Sequence, residues 1–213
     1  MESAAYTQVA DQIYACDCTN CPLHQRIDLP GHFPKFGAGG LSEAVLAVIT
    51  MNPGPPDDAQ RRSTRTTLAR REMHEQYDAG LRRYHREPRG GAMDIRSVFR
   101  EHVGLNWDQI YYTEVAKCVT TDQDKSDGTR TRSLRICSER FLAHELLAMD
   151  KLKVVICLGN EVDRLVREVF STQPILNELA QSGRLFKVPH PAAFGQKFKR
   201  ELPQILREVK LAL

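Results

Sequence analysis

The run Val45-Leu46-Ala47-Val48-Ile49-Thr50 is apolar at nearly every position and then stops at Met51-Asn52-Pro53-Gly54-Pro55-Pro56-Asp57-Asp58. A strand with one wet face alternates polar and apolar residues, whereas an unbroken short run bounded by Gly and Pro reads as a strand covered on both faces, the condition of a parallel sheet. In open α/β sheets ligands bind just beyond the carboxyl ends of such strands, which makes Asn52 the first candidate for chemistry. The flanking prolines fix φ and remove backbone donors, so the loop that carries Asn52 is stiff. The other reading is a Pro/Gly turn that only leads the chain out of the sheet.

Three more runs have the same character. Ile110-Tyr111-Tyr112-Thr113-Glu114-Val115 delivers Glu114, Lys153 to Leu158 leads into Gly159-Asn160-Glu161-Val162, and Arg184 to Val188 ends at Pro189-His190-Pro191-Ala192-Ala193. Helical patterns separate them. Ile95, Val98, Phe99 and Val103 form a face that stops at Gly104, and Phe141, Leu142, Leu146 and Met149 form another within 135–150. Gly159 to Val162 opens a further helix, and 202–213 is amphipathic. Residues 1–15 predict a short helix, 22–44 and 119–133 read as loops, and 57–91 as one or two surface helices over the carboxyl edge of the sheet. Strands alternating with helices give an α/β fold with both faces of a parallel sheet covered, and Asn52, Glu114 and His190 then lie at equivalent positions along one edge.

The length of 213 residues, 41% of them hydrophobic, suits a single domain spanning 1–213. The net charge is only +3, but Arg61, Arg62, Arg65, Arg70 and Arg71 occur together without an acidic residue. Such a run fits either a solvated helix face or a polyanion. No apolar run approaches the about 18 residues of a membrane span, and Met1 to Ala5 lacks the basic and apolar parts of a signal peptide. The expectation is a soluble, cytoplasmic monomer without a membrane partner.

Six cysteines in an intracellular chain suit metal ligands or core positions better than disulfides. Cys18-x-x-Cys21 can clamp a metal or cluster from one turn, with Cys16 a further candidate in the same turn. Cys118 and Cys137 lie far along the chain, while Cys157 sits inside an apolar run as a small buried thiol would.

Four segments, in this order, resemble the uracil-DNA glycosylase superfamily, above all its iron-sulfur family 4 and 5 branches. They are Cys18-x-x-Cys21 with Leu23 and Arg26, the strand into Asn52-Pro53-Gly54, Tyr112 to Cys118 with Cys137 nineteen residues later, and His190-Pro191-Ala192-Ala193. The resemblance implies a three-layer α/β/α sandwich on a four-stranded parallel sheet, DNA as the partner, and hydrolysis of the N-glycosidic bond of a flipped nucleotide. It implies that Cys18, Cys21, Cys118 and Cys137 hold a [4Fe-4S] cluster of structural role, with zinc as the other occupant that four thiolates accept. His190 then corresponds to the histidine that stabilises the anion growing on the leaving base, and Asn52 to the residue that holds the attacking water. Asp57 and Asp58 are auxiliary candidates for the base.

Two departures from family 4 bear on the substrate. Met51 stands where that branch has an acidic residue, so that Met51-Asn52-Pro53-Gly54-Pro55 is more similar to the single-strand-selective and mismatch-specific members. Met51, Pro53 and Glu114 are the base-binding candidates. Glu114 stands where family 4 has Asn, whose amide both donates and accepts; a carboxylate only accepts, which suits the N4 amine of a cytosine better than uracil O4. The expected base is therefore a non-canonical pyrimidine, a modified cytosine, in a setting of defence against phage DNA. Uracil remains open as the ordinary repair substrate, as does an inactive cluster-bearing DNA-binding protein. The Gly-Arg-Pro-Phe motif of the family is missing, and Tyr77, Tyr84 or Met93 is available for stacking on the base. Phe194-Gly195-Gln196-Lys197-Phe198-Lys199-Arg200 occupies the place of the loop that wedges into the duplex, with Phe194 as the wedge and Lys197, Lys199 and Arg200 for phosphates.

Overall fold

The computed structural model describes residues 4–16, 19–23, 37–51, 72, 75, 101–120, 122–189 and 196–213, the side chains of 4–6, 122–123 and 196–200 aside. Elements are numbered over these residues. Helix α1 (Ala4–Tyr14) precedes strands β1 (Ala38–Gly39) and β2 (Leu46–Thr50). Strand β3 (Ile110–Glu114) follows a 3-10 turn at Trp107–Gln109, which is closed by reciprocal hydrogen bonds between Asn106 and Gln109. Next come α2 (Asp122–Ser126) and a continuous helical rod made of α3 (Thr129–Cys137), a π segment (Ser138–Leu142) and α4 (Ala143–Leu147). Strand β4 (Val154–Leu158), helices α5 (Asn160–Ser171) and α6 (Pro174–Gln181), strand β5 (Leu185–Val188) and helix α7 (Gln196–Ala212) complete the order.

Among the described residues the sheet has five strands in the order β1-β3-β2-β4-β5. Strands β2 to β5 are the four expected from the apolar runs, and they pair in parallel with Val48 opposite Tyr112 and Ile156, and Ile156 opposite Phe186. Because successive strand residues point to opposite faces, each strand serves two cores. Ala47, Ile49, Tyr111, Val155 and Cys157 face one cluster with α1, α4 and α5, while Leu46, Val48, Ile110, Ile156 and Val188 face the other with α7. This is an α/β architecture with helices on both faces, as expected.

Three expectations change. Residues 38–39 belong to the sheet, as an antiparallel edge strand on β3 with Ala38 opposite Tyr112. Glycine makes that contact possible: Gly39 has φ of +111°, and a Cβ there would lie 2.1 Å from the Ile110 carbonyl oxygen. The segment 119–133 is largely helical, because Gly128 at φ +79° separates α2 from α3 and the Asp127 carboxylate accepts from the Thr129 amide at 2.9 Å. Helix α7 begins at Gln196 and not at Leu202, so the backbone of Lys197, Lys199 and Arg200 is helical and does not form a loop. The helix expected to end at Gly104 is seen at 101–103, and Gly104 has the expected stop conformation at φ +84°. The region 57–91 lies outside the described residues, except that Glu72 and Glu75 are helical and exposed.

Candidate active site at the carboxyl edge of the sheet

The parallel register brings the ends of β2 and β3 together. Thr50 lies opposite Glu114, the Val115 amide donates to the Thr50 carbonyl at 2.9 Å, and the Ala116 amide donates to the Met51 carbonyl at 2.9 Å. The pairing thus runs past both strands and fixes the backbone of Met51 one residue before Asn52. On the other side of β2, Leu158 pairs with Val188, and the Gly159 amide donates to the Val188 carbonyl at 2.8 Å. The chain leaves β2 toward β3 on one side and continues to β4 on the other, which is the kind of reversal where α/β sheets bind ligands.

Of the base-binding candidates, Met51 and Glu114 are therefore neighbours at this edge, both half-buried. Asn52, Pro53, Asp57, Asp58, His190 and Phe194 lie outside the described residues, as do Tyr77, Tyr84 and Met93.

Three cysteines from segments far apart in the chain come close: the Cys137 thiol has Cys21 and Cys118 beside it. All three are buried in the hydrophobic core on one face of the sheet, to which Cys16 and Cys157 also belong, and Cys18 lies outside the described residues. The Cys21 thiol donates to the Ser133 hydroxyl at 3.6 Å and shares a hydrogen bond with the Cys137 thiol. That bond, then burial and the nearby Cys118 push the Cys137 thiol well above its ordinary range, while the Lys117 amide, donating to it, acts the other way. Among the described residues, however, no three His, Cys, Asp or Glu side chains form a group that could hold a metal ion. Cys157 behaves as the sequence suggests: it is fully buried in β4, and burial raises its thiol far above the ordinary value.

Two functional-site neighbours escaped the sequence reading. Lys117 and Glu145 are fully buried and form an ion pair directly behind Glu114. The available signals were a lysine inside the otherwise apolar Val115-Ala116-Lys117-Cys118 and a glutamate beside Leu146 on an apolar helix face.

The family model of the uracil DNA glycosylase superfamily matches residues 46–211. The chain belongs to the uracil DNA glycosylase superfamily. The match begins at β2 and takes in β2 to β5, the edge formed by Met51 and Glu114, and most of α7. Membership makes this a protein of the DNA glycosylase type, a hydrolase that acts on DNA. No curated protein matches the chain. Among the described residues no helix is long and apolar enough to cross a membrane.

Proposed function

We propose that this uracil DNA glycosylase superfamily member hydrolyses the N-glycosidic bond of a non-canonical pyrimidine in DNA, and that the base is a modified cytosine. The observation that carries the reading is Glu114: a carboxylate at the carboxyl end of β3, in register with Thr50 and beside Met51. An ionised carboxylate accepts hydrogen bonds and donates none, so it rewards an exocyclic amine and repels a carbonyl oxygen. Ground for a modified base is chemical: excision of ordinary cytosine would destroy the host's own DNA.

The nucleotide turns out of the duplex into the edge crevice. As the bond to the sugar breaks, positive charge grows on the sugar and negative charge on the base. His190 hydrogen-bonds the base and stabilises that anion, as an oxyanion hole would. Asn52 holds the water that captures the sugar cation, with Asp57 or Asp58 available to take its proton. Met51 and Pro53 pack on the base, Phe194 fills the gap left in the duplex, and Lys197, Lys199 and Arg200 hold phosphates.

Cys18, Cys21, Cys118 and Cys137 would hold a [4Fe-4S] cluster, a reading supported by the place of Cys21 and Cys118 beside the buried Cys137 thiol. The group would serve to tie the N-terminal segment to the turn after β3. A brown protein with iron and sulfide, and its loss of colour in Cys118→Ser, is the expected result; a colourless protein with one zinc per chain would replace the cluster by zinc.

The deciding experiment is strand cleavage by alkali after incubation with duplexes that carry uracil, hypoxanthine, 5-hydroxymethylcytosine or glucosylated cytosine. Release of a modified cytosine, abolished in His190→Ala, is the expected outcome and points to defence against phage DNA. Release of uracil alone would overturn the reading in favour of ordinary repair. Silence on every base, with DNA binding preserved, would mean a binding protein.

A further inference from the structure

The Lys117–Glu145 pair takes no part in the chemistry above, yet every polar atom of it is committed. The Lys117 ammonium donates to the Thr113 hydroxyl oxygen at 2.7 Å, to the backbone carbonyl of Glu114 at 2.7 Å and to Glu145 Oε2. Those three acceptors use its three donors. The Glu145 carboxylate also receives the Tyr111 hydroxyl at 3.0 Å and the Thr113 hydroxyl at 3.0 and 3.1 Å. Taking two charges out of water is expensive, and a buried pair is often no more stabilising than apolar residues of the same volume. Stability alone is a poor reason for it to be here.

Its position supplies a better one. The Lys117 side chain reaches back to the Glu114 carbonyl, and its amide donates to the Cys137 thiol. Between those two anchors, Val115 and Ala116 hold the carbonyls of Thr50 and Met51. One residue thus fastens the turn from 114 to 118 from the inside, between the base-reading position and the cysteines.

The helical rod is built to match. Cys137 and Glu145 are eight positions apart, and at about 100° per residue a regular α-helix would leave them about 80° out of line. The π segment Ser138–Leu142 lies between them and absorbs the extra residue, so that Cys137 meets the Lys117 amide while Glu145 meets the Lys117 ammonium, Tyr111 and Thr113.

We infer that Lys117, neutralised by Glu145, is a positioning residue for base selection: by holding the Glu114 carbonyl it sets the direction in which the Glu114 carboxylate meets the base. The inference rests on the reading of Glu114 as the base-selecting group. Without the ammonium, the Glu114–Val115 peptide is held on one side only, by the Val115 amide on the Thr50 carbonyl, and the site loses discrimination before it loses the ability to cleave.

The test is the double variant Lys117→Met with Glu145→Gln, which removes both charges together and keeps the side-chain volumes, so that no lone buried charge unfolds the chain. Excision of the preferred base and of uracil would be compared as kcat/KM, beside amide hydrogen exchange at Val115 and Ala116. The expected result is a ten- to hundredfold fall, in order of magnitude, in the ratio between the two bases, carried mainly by the preferred one, with exchange at both amides accelerated. A common loss on both bases with an unchanged ratio would overturn the inference and leave the pair a structural element. If the wild type cleaves none of the bases, the functional reading fails by itself. The exchange measurement then decides: unchanged exchange at Val115 and Ala116 overturns the positioning role, and faster exchange supports it.

Discussion

The two faces of the sheet are packed by different means. Beneath α7, Leu202, Leu206 and Val209 meet Leu46, Val48, Ile156 and Val188, a contact of aliphatic side chains. On the opposite face, Ile49, Val155, Phe141 and Leu142 are joined by Cys21, Cys118 and Cys137, and by Lys117 and Glu145 behind Tyr111 and Thr113. Aliphatic packing is tolerant: side chains of similar size exchange at small cost, and the contact has no preferred direction. A satisfied polar network admits one arrangement, because a half-satisfied one is worse than none. The candidate site borders the face that is specified by direction, and the other face supplies the platform.

The largest effect that separates the two faces is expected from Lys117→Met alone. It strands the Glu145 carboxylate in the core and should destabilise the protein by about 4 kcal/mol, or roughly 10 °C in Tm for a chain of this size. Adding Glu145→Gln should recover most of that loss, a strongly non-additive pair measurable by thermal unfolding. Full additivity of the two substitutions would show that the network is not one unit.

Leu206→Ala on the aliphatic face should cost somewhat less, about 3 kcal/mol, from lost burial and the space left behind. Its effect should add to that of Lys117→Met, since the two lie on opposite sides of the sheet with no shared partner. Coupling in urea unfolding would mean that the sheet transmits strain between its faces.

The smallest effect concerns pH. Cys157 has a thiol held well above its ordinary value of 9.0 by burial, so its folded form stays protonated where the unfolded chain ionises. Its contribution is intact below about pH 9 and declines as the pH rises further. The fall in stability between pH 8 and pH 10 should accordingly be shallower in Cys157→Ala than in the wild type. Parallel pH slopes would place the alkaline sensitivity elsewhere.

The faces also differ in how far they could be read from the sequence. Strands β2, β3, β4 and β5 announce themselves as apolar runs because both of their faces are buried, and Cys157 was legible for the same reason. The region Thr129–Cys137 was not, since only Ser133, Leu134 and Cys137 of it are buried and its polar residues resemble those of a loop. Strand β1, only Ala38 and Gly39, is too short to carry a side-chain pattern and depends on the close backbone approach that Gly37, Gly39 and Gly40 allow. That the ends of β2 and β3 share one edge of the sheet followed from reading both as parallel strands, but their adjacency, and with it the meeting of Met51 with Glu114, came from the strand order. Lys117 and Glu145, in contrast, are 28 residues apart, and a charge buried by its partner looks in sequence like a charge in water.

The glycine contact at β1 bears on how the molecule behaves among its own copies. Strand β3, Ile110-Tyr111-Tyr112-Thr113-Glu114, is rich in β-branched and aromatic residues, and among the described residues β1 is what covers its outer hydrogen-bonding row. Open rows of this composition recruit further strands. A side chain at Gly39 would push against the Ile110 carbonyl and lift β1 away. The damage would then be registered as turbidity and sedimenting aggregates at high concentration, while the protein that stayed in solution kept the pairing of β2 with β3 intact.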